Sequence, residues 1–226
     1  MNPIRLTPLV KKFLIVIAVI FFIQLVTGGS AIEGLFGLVP DGFVNRGRIW
    51  QILTYPFLHH DVSHFVLNAL MIAFIAPEIE IAFGKKKLIL FFFTCTVTAG
   101  IVYLGIQIWS RGVEGLGAPL VGASAGIYGV LLAYGLLFRE RVLLFMMLFP
   151  MKAKHFVIVL AAVEFLTTMS SSRNSLSSIA HLSGMAAAFA FIWIEKGMRN
   201  TRSSGGGGPG KKPKFIKKVD KKGNLK

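Results

Sequence analysis

The sequence predicts an all-α membrane protein of six transmembrane helices. Three observations predict it. Six apolar segments recur along the chain, each near the ~20 residues that span a bilayer. The composition is 54% hydrophobic and 15% charged, with a mean hydropathy of +0.67. A soluble domain carries about 25% charged residues, so a soluble fold would have to bury nearly everything this chain has. Finally, the basic residues are distributed unevenly between the segments.

The apolar segments run at about 13–27, 64–83, 88–109, 123–138, 154–170 and 178–195. Backbone polar groups in hydrocarbon must be satisfied within their own element, so each segment is assigned as an α-helix. The first follows Lys11 and Lys12 and precedes Thr27, Gly28, Gly29, Ser30 and Ala31, a pattern that also fits a signal peptide. It is taken as a retained span. The connection 28–63 is long, holds Gly, Pro and several aromatics, and its Leu35, Phe36, Ile49 and Trp50 suggest partial immersion at the outer interface. The stretch 142–150 is apolar but short and ends at Pro150, which places it near the interface rather than across the bilayer. These boundaries give a membrane domain over 1–197. Residues 198–226 form a basic tail with the linker Ser203 to Gly210, predicted to be disordered.

The formal net charge of +15 suggests nucleic acid, but its position argues otherwise. With six spans and a cytoplasmic N-terminus, 21 of the 25 Lys and Arg fall inside, 11 of them between Lys196 and Lys226. Only Arg46, Arg48, Arg111 and Arg173 fall outside. Such a bias is topogenic and puts both termini in the cytoplasm. A soluble nucleic-acid binder is excluded by the apolar runs. The basic tail is suited to contact with anionic lipid. Cys95, the single cysteine, cannot form an intrachain disulfide.

Polar groups inside apolar helices are costly and mark candidate function. Three constellations stand out. Ser124 lies in Gly122-Ala123-Ser124-Ala125-Gly126-Ile127-Tyr128-Gly129 at the start of the fourth segment. Gly122 and Gly126 are four apart, a small-residue pair that permits close helix packing. His181 lies in the sixth segment on a second small stripe, Ala180, Gly184 and Ala188. Packing the two stripes together would bring His181 within reach of Ser124, and a serine nucleophile needs such a base. His64 and Asn68, four apart on one face of the second segment, could donate hydrogen bonds to an oxyanion. Taken singly, the Ser124 motif reads better as plain helix packing and the His64–Asn68 pair as interhelical polar glue, while His181 reads equally well as a base or as a histidine satisfied by a neighbouring carbonyl. Under the assigned topology all three lie near the outer ends of their spans. Metal binding by His59, His60, His64 and His181 would be a competing use, but no spacing matches a zincin motif.

Gly-x-Ser in the fourth span, His-x-x-x-Asn in the second and Ala-His-x-x-Gly in the sixth resemble the rhomboid intramembrane serine protease family over about 45–195. Trp50, His59 and the Glu80-to-Gly84 stretch agree with it. Two departures are visible. Gln51 follows Trp50 where the family often has Arg, which bears on the first loop, and Ala76 replaces a Gly. The resemblance implies a rhomboid-like helical bundle, of the bacterial six-span type in the cell membrane, which cuts transmembrane protein substrates within the lipid bilayer. It implies Ser124 as nucleophile, His181 as general base and acid, and an oxyanion hole from His64, Asn68 and the Ser124 N–H. It also implies Tyr128 packing against His181, with no metal or cofactor. Substrate would enter between spans two and five. Glu164 is read as structural, at a height away from the outer end, so the expected scheme is a Ser–His dyad. Two alternatives remain: a catalytically silent relative that binds membrane helices, and a six-span transporter, for which no inverted repeat is visible.

Overall fold

The structure is a computed structural model of the whole chain, and it describes residues 6–112, 119–145, 149–169 and 175–204. Helix α1 (Pro8–Thr27) is followed by a folded connection of three short helices, α2 (Ser30–Phe36), α3 (Pro40–Val44) and α4 (Gln51–Thr54), and a 3₁₀ turn, Tyr55–Phe57. The long helices α5 (Val62–Phe83) and α6 (Lys85–Arg111) come next. Then follow α7 (Ser124–Leu137), a hairpin of β1 (Val142–Phe145) and β2 (Phe149–Lys152), α8 (Ala153–Met169) and α9 (Ser175–Ser204).

Among the described residues, four helices are long and apolar enough to cross a membrane: Pro8–Thr27, Val62–Phe83, Lys85–Ser110 and Leu176–Met198. The two remaining predicted spans are shorter, 14 residues in α7 and 17 in α8. The packing explains the length of α7. It touches α5, α6, α8 and α9, and nine of its residues are buried, so it sits inside the bundle rather than against lipid. The apolar stretch expected at the interface forms the hairpin, with Val142 opposite Lys152 and Phe145 opposite Phe149. Helix α9 continues past the predicted end of its span to Ser204, into the segment assigned to the tail. The linker from Gly205 and the Lys-rich end lie outside the described residues.

Helix α1 is tied to the bundle at both ends. Near its start, the Glu80 carboxylate accepts hydrogen bonds from the Thr7 hydroxyl and the Val10 N–H, which serves one of the donors a helix N-terminus leaves unpaired. Near its end, the buried Gln24 amide exchanges two hydrogen bonds of 3.1 Å with the backbone of His59. The Glu80 motif that drew attention in the sequence thus holds α5 to α1.

The connection 28–61 is ordered through its own polar groups. Gln51, fully buried, donates to the carbonyl of Gly34 at 3.1 Å and accepts from the Val39 N–H at 3.2 Å. Arg48 donates to the same Gly34 carbonyl at 2.9 Å, and Trp50 Nε1 donates to Leu35 O at 3.0 Å. Gln51 and Arg48 therefore both supply donors to the Gly34 carbonyl of this connection. The connection also joins the segment ahead of α7, through paired backbone bonds of 3.0 Å between Leu38 and Leu120.

Candidate active site

Small residues set how close the helices come. A Cβ on Gly184 would lie 2.3 Å from the Ala125 carbonyl oxygen, and one on Gly129 would meet both Cys95 Sγ and the Ala188 Cβ. The α9 stripe expected from Ala180, Gly184 and Ala188 thus packs on α7, while Gly126 faces the Phe92 ring of α6 instead. This approach brings Ser124 and His181 together: His181 Nε2 lies 2.8 Å from Ser124 Oγ.

Ser124 is the first residue of α7, and the backbone just ahead of it turns at Gly122, whose φ of 111° only glycine adopts without strain. The same glycine is a contact point. A Cβ there would lie 2.6 Å from His64 Cε1 and 3.7 Å from Asn68 Nδ2. His64 and Asn68 on α5 therefore stand beside the Ser124 end of α7. Asn68 is buried and its Nδ2 has no hydrogen-bond partner among the described residues. The Asp61 carboxylate caps α5 by accepting from the His64 N–H at 2.8 Å, which fixes the helix start that carries these side chains. A cavity of about 270 Å³ opens beside Ser124 and His181, with His60, His64 and Gly122 also in its wall.

Tyr128, one turn along α7 from Ser124, stacks on the His181 ring with centroids 4.2 Å apart and planes 6° from parallel. The Tyr128 hydroxyl donates to Glu164 on α8. Here the structure corrects the sequence reading. Glu164 was placed away from the outer end, yet its Oε1 lies 3.0 Å from His181 Nδ1. The helices run in opposite directions. Glu164 is five residues from the end of α8 and His181 six from the start of α9, about 8–9 Å along either axis. Counting from the end of α8 rather than from its start would have found the match.

His59 and His60 lie in the connection ahead of α5. His60 Nδ1 is 3.2 Å from Glu33, and His59 packs against the Phe21, Phe65 and His64 rings. Burial pushes the His59 imidazole down to about 4.

The arrangement can do acyl-transfer chemistry. It holds a hydroxyl against an imidazole, at a helix N-terminus whose dipole favours developing negative charge, with an unpaired amide donor nearby. A family model described as the rhomboid domain matches residues 46–197, about two thirds of the chain. The chain is 28% identical to YdcA, a rhomboid of Bacillus subtilis (strain 168), over 201 residues that cover 85% of this chain and 92% of that protein. It is 26% identical to the rhomboid protease GluP of the same organism over 114 residues, 49% of this chain and 21% of that one. Against the human rhomboid-related protein 3 the figures are 28% over 89 residues, 39% of this chain and 20% of that one.

Proposed function

The chain belongs to the rhomboid family, and on that premise we propose that it is an intramembrane serine endopeptidase that cuts transmembrane segments of other membrane proteins. Ser124 is its nucleophile and His181 its general base. The observation that carries the reading is the 2.8 Å contact between Ser124 Oγ and His181 Nε2 inside an apolar bundle. A partly buried serine hydroxyl needs no imidazole partner for packing, but it needs one to attack a carbonyl.

The proposed reaction begins with a substrate peptide bond in the cavity beside Ser124. The Ser124 oxygen attacks the carbonyl carbon as its proton passes to His181 Nε2. The tetrahedral oxyanion accepts hydrogen bonds from the Ser124 N–H, the Asn68 amide and His64. His181 then donates its proton to the departing amine. Water, activated by the same imidazole, hydrolyses the acyl-enzyme and frees Ser124.

The same proposal includes the topology. All six long helical segments cross the bilayer, α7 within the bundle, with both termini on the cytoplasmic side of a cell membrane. The bias in Lys and Arg supports that orientation. The contact in the active site weighs against a silent helix-binding relative, in which it would have no use. Purified protein in detergent should cleave a transmembrane reporter. Ser124→Ala and His181→Ala should each lower cleavage below detection while thermal unfolding stays near wild type. Wild-type rates from either variant would overturn the mechanism.

A further inference from the structure

Glu164 is an ionisable side chain on an apolar helix, only 8% exposed. Such residues are costly and call for a partner. It has three, on two other helices: Tyr128 on α7, and His181 and Ser178 on α9. The Tyr128 hydroxyl donates to its Oε1, and His181 Nδ1 stands 3.0 Å from the same oxygen. The nitrogen that faces Glu164 is the one His181 does not use toward Ser124, because Nε2 faces Oγ. Tyr128 closes the figure, since it stacks flat on the ring whose edge meets the carboxylate. Three helices thus fix one imidazole: α7 by stacking, α8 by a carboxylate and α9 by the main chain. The other polar groups about this ring are Ser124 on α7, Ser178 on α9, which hydrogen-bonds Glu164, and His64 on α5.

We infer that Glu164 is a positioning residue, which holds His181 in the tautomer with its proton on Nδ1 and so leaves Nε2 free to take the proton of Ser124. The inference rests on the protease reading above and adds a third group to its expected dyad. A neutral imidazole carries one ring proton, and a neighbour that accepts a hydrogen bond decides where it sits. With the proton on Nδ1, Nε2 is the lone-pair nitrogen, which a base facing Oγ must be. As His181 becomes positively charged during attack, the same carboxylate stabilises it across 3.0 Å. In the resting geometry Nδ1 lies 3.0 Å from the carboxylate but has no aligned hydrogen-bond partner among the described residues. Such bonds tighten when substrate is bound. A purely structural Glu164 would need only the Tyr128 bond and would have no reason to face the ring nitrogen.

The test uses the full chain in detergent with a transmembrane reporter. Glu164→Gln keeps the shape and an acceptor for Tyr128, but its amide can present N–H to Nδ1 and favour the wrong tautomer. It should lower kcat by at least about 10²-fold with KM within about twofold of wild type. Loss of the orienting carboxylate in soluble serine protease triads costs about 10⁴. Fluorophosphonate labelling of Ser124 should slow in parallel, and Glu164→Asp should recover part of the rate. A folded Glu164→Gln variant with kcat within threefold of wild type would overturn the inference while leaving the protease reading intact. A wild-type chain that neither cleaves nor labels would overturn the protease reading, and with it the base role given to His181. Independently of activity and of any variant's folding, ¹⁵N-histidine spectra of the wild-type protein should show His181 protonated on Nδ1. A proton on Nε2 instead would refute the inference.

Discussion

Asn68 Nδ2 is buried, unpaired among the described residues and near Gly122, and a buried amide without a partner costs free energy unless something uses it. An oxyanion at the Ser124 end of α7 would use it. Asn68→Ala and His64→Ala should therefore slow cleavage by about 10²–10³-fold, the usual loss for one oxyanion donor, while Ser124 remains open to covalent labelling. Turnover within twofold of wild type in both variants would remove them from that role. His59 supplies a different kind of test. Its folded-state value near 4 lies below the ~6.5 of an exposed imidazole, so the unfolded chain binds more protons between those limits. Stability from neutral His59 is fully present above about pH 6.5, is lost as pH falls toward 4 and changes no further below it. The loss is about 3 kcal/mol, and it should appear as a falling unfolding midpoint in detergent across that window. A His59→Asn variant should show a shallower slope, and an equal slope would rule out this group as the cause.

The helix pair α7–α9 carries the site, and its geometry was legible in the sequence because small residues leave a plain signature. Ala180, Gly184 and Ala188 read directly as a close-approach stripe, and Gly184 does sit against Ala125. A side chain there would meet backbone oxygen, which cannot move aside. Gly184→Val should thus separate α9 from α7, lengthen the contact between Ser124 and His181, and lower stability by about 1–3 kcal/mol as well as activity. A variant with wild-type cleavage and an unchanged unfolding midpoint would show that the stripe is not needed. Glu164 was not legible at this scale. A lone acid in an apolar run gives no partner, and its height depends on which end of the helix is counted as outer. The signal available was its distance from the end of α8, which equals that of His181 from the start of α9 to within one residue.

For the whole molecule, hydropathy located every long helix to within a few residues at most ends, since a helix in lipid must be continuous and apolar. It did not resolve how α7, at 14 residues, is accommodated, because burial among four neighbours is a property of the bundle rather than of the segment. The folded connection 28–61 was equally hard to read. Its order comes from Gln51, Arg48, Trp50 and Thr54 donating to carbonyls 14–18 residues away, contacts with no local period. The tight fit of α1, through Glu80 and Gln24, likewise joins residues distant in sequence. What these parts have in common is that they brace the bundle in which Ser124 and His181 stand 2.8 Å apart. The measurement that tests this most directly is covalent labelling by a fluorophosphonate, with the modified residue located by mass spectrometry. The account predicts a single adduct on Ser124 in the wild-type chain and its loss in His181→Ala. Labelling at another serine, or equal labelling of Ser124 without His181, would contradict it.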